Sequence, residues 1–140
     1  MSFNHPLRRL SIAMMMIMLA ALNACSDDNS PTVPGIEPEI VNNVDNFQFQ
    51  TTAIQNYSGT LVYTWSNTGT AAVVDQSSSV SSGSVTLVLL DADGTQVYER
   101  DLSLDGSTES NSGVAGDWTI RVVCQSLSGT LNFRADKSTP

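Results

Sequence analysis

The chain has 140 residues, the size of one domain and a short extension, with 14 acidic against six basic side chains and a net charge of −8. That balance argues against nucleic acid or an anionic lipid surface as the main partner. The only histidine is His5, so the chain beyond it offers no imidazole for Ser-His-Asp or Cys-His chemistry or for the common zinc sets.

Residues 1–24 have the three parts of a secretory signal. His5, Arg8 and Arg9 make a basic start, Leu10 to Leu22 run without a charge, and Ala20, Ala21 and Ala24 supply small residues. An uncharged run of this length suits a signal core of about 7–15 residues and falls short of the roughly 20 that a membrane span needs. A plain secretory signal cut after Ala24 is one reading. The other rests on Leu22-Asn23-Ala24-Cys25, which resembles the lipobox of bacterial lipoproteins, with Asn23 where a small residue is usual. The resemblance implies cleavage between Ala24 and Cys25, a diacylglyceryl thioether (palmitate-type chains) on the Cys25 sulfur, and acylation of the new amino terminus. Several chains on one residue make a stable anchor where a single chain holds only marginally. Ser26 stands where enterobacterial lipoproteins carry the inner-membrane retention Asp, which favours the outer membrane of the cell envelope. Loss of residues 1–24 leaves Arg100, Arg121, Arg134 and Lys137 against all 14 acids.

Residues 25–45 read as the lipidated Cys and a tether, rich in Ser, Pro, Asn, Asp and Glu and without a sustained period. A partner-binding segment around Ile36 to Val41 is the alternative.

From residue 46 to 137 the pattern is that of an all-β domain, an antiparallel β-sandwich or jelly roll. Phe47 and Phe49 alternate with Gln48 and Gln50. Leu61, Tyr63 and Trp65 form one face of the next strand, Val62 and Thr64 the other. Ala72 and Val74 give a short strand before a loop at Ser77 to Ser84. Val85, Leu87 and Leu89 alternate with Thr86, Val88 and Leu90, so this strand is expected to be buried on both faces. Val97 to Leu104 continues the sheet. Trp118, Ile120, Val122 and Cys124 share a core face, with Arg121 opposite, and Leu131, Phe133 and Ala135 close the domain. Cys124, alone once Cys25 is spent, is expected to be a buried, inert thiol. Gln55-Asn-Tyr-Ser-Gly-Thr-Leu61 resembles Gln125-Ser-Leu-Ser-Gly-Thr-Leu131, and both place Ser-Gly where a hairpin is expected to turn.

Three sets of side chains are candidate sites. Asp91-Ala-Asp93-Gly94 is an Asp-Gly hairpin turn or, with its two carboxylates, the opening of a calcium site; Gln96 and Leu102 stand where an EF-hand loop needs Gly and Glu. Tyr57 beside a turn and Tyr98 opposite Val97, one of that pair exposed, are candidates for a glycan platform, against packing in the core. Asp101 with Asp105, and Asp91 with Asp93, are close carboxylate pairs of the kind acid–base work uses. All sit beside turns, where acids are ordinary, and no enzyme is expected.

Val85-Thr-Leu-Val-Leu-Leu-Asp-Ala-Asp-Gly94, then Gly113-Val-Ala-Gly-Asp-Trp-Thr-Ile-Arg-Val122, then Ser128-Gly-Thr-Leu-Asn-Phe133 resemble bacterial pre-peptidase C-terminal modules. The resemblance implies a small β-sandwich with a binding or accessory role, and transfers no site residue. The expectation is a lipid-anchored, non-enzymatic envelope lipoprotein that binds or supports another envelope protein or a glycan. The alternative is a carbohydrate- or polymer-binding module stabilised by Ca2+.

Overall fold

The computed structural model describes residues 35–139. The signal segment, Ala24 and Cys25 lie outside the described residues.

Seven antiparallel strands and no helix make up the described residues: β1 (Glu39–Asn43), β2 (Asn46–Asn67), β3 (Ala72–Gln76), β4 (Ser79–Leu90), β5 (Gln96–Asp101), β6 (Gly106–Glu109) and β7 (Gly116–Lys137). Two of them, β2 and β7, run for 22 residues each and pair along their whole length. Both bend midway, where the register slips between Thr51 and Ile54, Ile54 and Tyr57, and Tyr57 and Gly59. The bend divides the sheet into two layers that share both long strands. One layer runs β5, β4, the first half of β7 and the second half of β2. The other runs β6, β3, the second half of β7, the first half of β2 and β1. Strands that turn a corner and pass from one layer to the next are a known way to close a β-sandwich.

The core lies between these layers. Alternation sends Phe47 and Phe49 inward from the first half of β2, and Leu61, Tyr63 and Trp65 inward from the second. The Tyr63 ring lies 5.5 Å from Phe47 and 6.0 Å from Phe49, so β2 packs on itself across the core. Trp65 meets Trp118 edge to face at 5.9 Å. Both indoles are fully buried, and each N–H finds a carbonyl, Asn43 for Trp65 (3.1 Å) and Val114 for Trp118 (2.8 Å).

The two similar Ser-Gly segments are the corners of β2 and β7, not hairpin turns. They cross one another as mirror uses of the same chemistry. Asn56 N–H donates to Ser128 Oγ (2.9 Å), and Ser126 N–H donates to Ser58 Oγ (2.8 Å). Asn56 and Ser126 both take left-handed backbone, at φ 47° and 46°. Gly129, at φ 140°, passes so close to β4 that a Cβ would lie 2.2 Å from the Ser79 carbonyl oxygen.

Three further expectations are corrected, and one strand had not been expected at all. The sheet starts earlier than residue 46: Ile36 is 3% exposed and β1 pairs Glu39–Asn43 with Gln50–Asn46, so residues 36–43 belong to the domain rather than to a tether. Polar residues hid β1, because only Ile40 of its five is even half-buried. Ser79 to Ser84 is strand, not loop. It crosses the corner of β7, pairing with Thr130 to Gln125. The outer face of β4 is half-exposed rather than buried at Thr86, Val88 and Leu90, because no described element covers that side of its layer. Finally, β6 carried no sequence signal, since all four of its residues are exposed.

Candidate functional site

At one side of the sandwich the end strands of the two layers face each other without pairing. They are β5 of the first layer and β6 of the second. Between them lies a cleft of about 320 Å3, lined by Tyr98, Glu99, Arg100, Thr108, Glu109 and Asn111 with Gln96 and Val97. Few bonds cross it. Arg100 Nη1 donates to Thr108 Oγ1, Arg100 Nη2 donates to the Asp105 carbonyl (3.2 Å), and Asn111 N–H donates to the Val97 carbonyl (2.9 Å). At its end Gln76 Nε2 donates to the carbonyls of Asp101 (2.8 Å) and Leu104. The cleft thus offers one guanidinium, two carboxylates, two amides and a hydroxyl. Such a set suits a ligand that is itself rich in hydrogen-bonding groups, such as a sugar chain or a peptide.

Tyr98 reaches this cleft only from below. It is 6% exposed, and its hydroxyl donates to Gln76 Oε1 (3.2 Å) across the core; burial raises its pKa. Val97 is buried as well, so the expectation that one of the pair is exposed is overturned. The cause is a bulge: Leu89 pairs with Tyr98 but Leu90 with Gln96, leaving Val97 as the extra residue. Tyr57 sits elsewhere. It lies at the β2 corner, half-buried, with its ring over Gly59, where a Cβ would meet the hydroxyl at 2.6 Å. Since β5 and the second half of β2 are opposite edges of one layer, Tyr57 and Tyr98 share no surface.

Asp91 and Asp93 form a turn that ties two segments together. Asp91 is 4% exposed, while Asp93 is exposed. Asp91 Oδ1 accepts from the N–H groups of Asp93 (3.0 Å) and Thr95 (2.8 Å), and Oδ2 accepts from Val114 N–H (2.9 Å). The Val114 bond above all holds the carboxyl below its ordinary range, with Thr95, Asp93 and Gly94 adding to it against the cost of burial. The carboxylate therefore clasps the β4–β5 turn to the segment that leads into β7. Gly113 lies so close to this clasp that a Cβ would stand 2.7 Å from that of Asp91. Among the described residues no three carboxylate, His or Cys side chains gather as a metal cage.

Cys124 lies on the core face of β7, 3% exposed, and burial pushes its thiol up to about 11. Tyr63 is pushed up to about 12, first by burial and then by Tyr57 and Cys124 nearby. The hydroxyls of Tyr63 and Thr51 are buried without a hydrogen-bond partner among the described residues.

No family model matches the chain, and no curated protein matches it. Among solved structures, one described as "Structure of infectious bursal disease virus Gt strain" aligns with 75% of this chain and 31% of its own, at 11% identity and a TM-score of 0.30. The chain spans under a third of that structure's length. A TM-score of 0.30 is too low for shared topology.

The cleft residues Arg100, Thr108, Glu109 and Asn111 had no sequence signal. They meet only because β6 returns beside β3, which pairs it at Val73 to Gln76.

Proposed function

We propose that the chain is a lipid-anchored, non-enzymatic lipoprotein of a bacterial envelope, held at the outer membrane through Cys25, whose β-sandwich is a binding or accessory module for another envelope component. The observation that carries this reading is Leu22-Asn23-Ala24-Cys25 at the end of an uncharged signal core. The resemblance of about residues 85–135 to pre-peptidase C-terminal modules supports the accessory role. Because Ile36 is already in the core, only residues 26–35 separate the anchor from the domain. They reach about 40 Å at most, so the module works close to the bilayer surface.

Metabolic labelling with an alkyne palmitate analogue is the test. Label on the wild-type chain and none on Cys25→Ser, with the variant released to the soluble fraction, is the expected result. An unlabelled wild-type chain ends the proposal.

The polar cleft between β5 and β6 favours a second reading, a carbohydrate- or polymer-binding module. Under it, Glu99→Ala with Glu109→Ala lowers retention on envelope glycan by about tenfold, the worth of one or two good hydrogen bonds. Tyr57→Ala leaves retention unchanged. The opposite pattern removes the cleft from consideration.

A further inference from the structure

Each long strand has two halves, and three of the four halves are flanked on both sides. The first half of β2 lies between β1 and β7. The first half of β7 lies between β4 and β2, and its second half between β3 and β2. The second half of β2 has β7 on one side and no strand on the other among the described residues. Its far end is covered. Thr64's carbonyl accepts from Asn42 Nδ2 (2.8 Å), and Ser66's carbonyl accepts from Asp45 N–H (2.9 Å). These bonds also show the parity: from residue 59 to 67 the register is unbroken, so even-numbered residues aim N–H and C=O away from β7. Thr60 and Val62 therefore present two donors and two acceptors at an exposed edge.

Edges like this are normally guarded by charge, proline, a bulge or a cover. Gly59-Thr-Leu-Val-Tyr-Thr-Trp-Ser-Asn67 has no charge and no proline, in a chain of net charge −8. Val62 is 54% exposed on the outer face. These four groups, without a partner among the described residues, are also self-complementary. In an antiparallel pair with its two-fold axis at Leu61, Thr60 of one copy faces Val62 of the other, and the reverse. All four groups of each copy are then used, and the pairing stops short of Thr64, whose carbonyl is taken. We infer that this edge pairs with the same edge of a second copy, antiparallel about Leu61, joining two four-stranded layers into one of eight. The uncharged strand lets two acidic molecules meet without opposing like charges. With four backbone bonds the contact belongs to the small, weak class of interface, so it calls for trapping rather than for a sizing column.

The register gives a trap. Residues facing each other in a hydrogen-bonded antiparallel pair have Cα atoms about 5.5 Å apart, within disulfide range, whereas diagonal residues are about 7–8 Å apart. The full chain is made in whole cells as two differently tagged forms, Thr60→Cys and Val62→Cys, and oxidised with copper phenanthroline. Both positions are exposed, so neither change touches the core. The mixture is expected to give about tenfold more cross-linked dimer than either form alone, from the geometry of the disulfide. Equal cross-linking of Val62→Cys alone, or no dimer from the mixture, overturns the inference. Hydrogen exchange on the unmodified full chain is the check that needs no substitution. The Thr60 and Val62 amides are expected to lose protection on dilution. Protection that is unchanged on dilution places some other segment or protein on the edge, and overturns it equally.

Discussion

Asp91 shows how much one side chain can hold at the surface of a small sandwich. Its two oxygens accept three backbone N–H groups from two segments far apart in the chain. Asparagine at this place would turn an N–H donor toward one of those donors. Asp91→Asn is therefore expected to lower the melting temperature by several degrees, and Asp93→Asn, at an exposed position, to leave it within a degree or so. The pH dependence has a definite sign. The folded carboxyl lies below its ordinary value, so its stabilisation is complete above the unfolded value near pH 4 and is lost as pH falls through the depressed folded one. Urea midpoints should drop more steeply below about pH 4 for the wild type than for Asp91→Asn; parallel curves would refute this. Cys124 makes a simpler case. With its thiol buried and raised to about 11, it should resist iodoacetamide at pH 8 in the native chain and react fully in denaturant. Rapid native labelling would mean that the core face of β7 opens.

At the scale of elements, the corners decide the architecture. Their glycines differ in a way that can be measured. Gly94 sits at φ 81° in an open turn with no atom near a new Cβ, while Gly129 sits at φ 140° with the Ser79 carbonyl 2.2 Å from one. Gly94→Ala should cost only the left-handed backbone penalty of about 1–2 kcal/mol. Gly129→Ala must also part β4 from β7, and is expected to cost more than about 3 kcal/mol or to prevent folding. Chemical denaturation of the two variants compares them directly, and equal losses would contradict the corner role. The start of the domain has its own check. Ile36→Ala should destabilise by about 2–4 kcal/mol if Ile36 is core, and by almost nothing if it belongs to a tether.

For the whole molecule, the net charge of −8 bears on how other charged molecules approach it. Asp91, the most buried acid among the described residues, already has both oxygens engaged by the backbone. Melting temperatures in calcium and in chelator are therefore expected to agree, since only a ligand that binds the native state raises stability. A rise of several degrees with calcium would reopen the Asp91–Asp93 site. The two layers leave two unlike margins. One is the polar cleft where β5 and β6 face each other, and the other, formed by β1 and the second half of β2, includes the uncharged edge of β2. A single domain thus has one surface suited to a hydrogen-bonding ligand and another suited to a strand.

Sequence alone was sufficient for the all-β class, for most inward faces and for the burial of Trp65, Trp118 and Cys124. Period-two alternation is a local property, and each strand displays its core face without reference to its neighbours. It failed wherever a neighbour decides the outcome. The similar segments at Gln55–Leu61 and Gln125–Leu131 carry ordinary turn chemistry. Only their crossing, with Asn56 on Ser128 and Ser126 on Ser58, makes them corners of continuous strands. The half-exposed outer face of β4 and the burial of both Val97 and Tyr98 depend on what covers a layer and on where a bulge falls. The short strands β1 and β6 are set by the strands they pair, β2 for β1 and β3 for β6, and not by their own propensity. The cleft and the open edge are both margins of a sheet, and a margin is set by which strands meet, a long-range choice that no local pattern encodes.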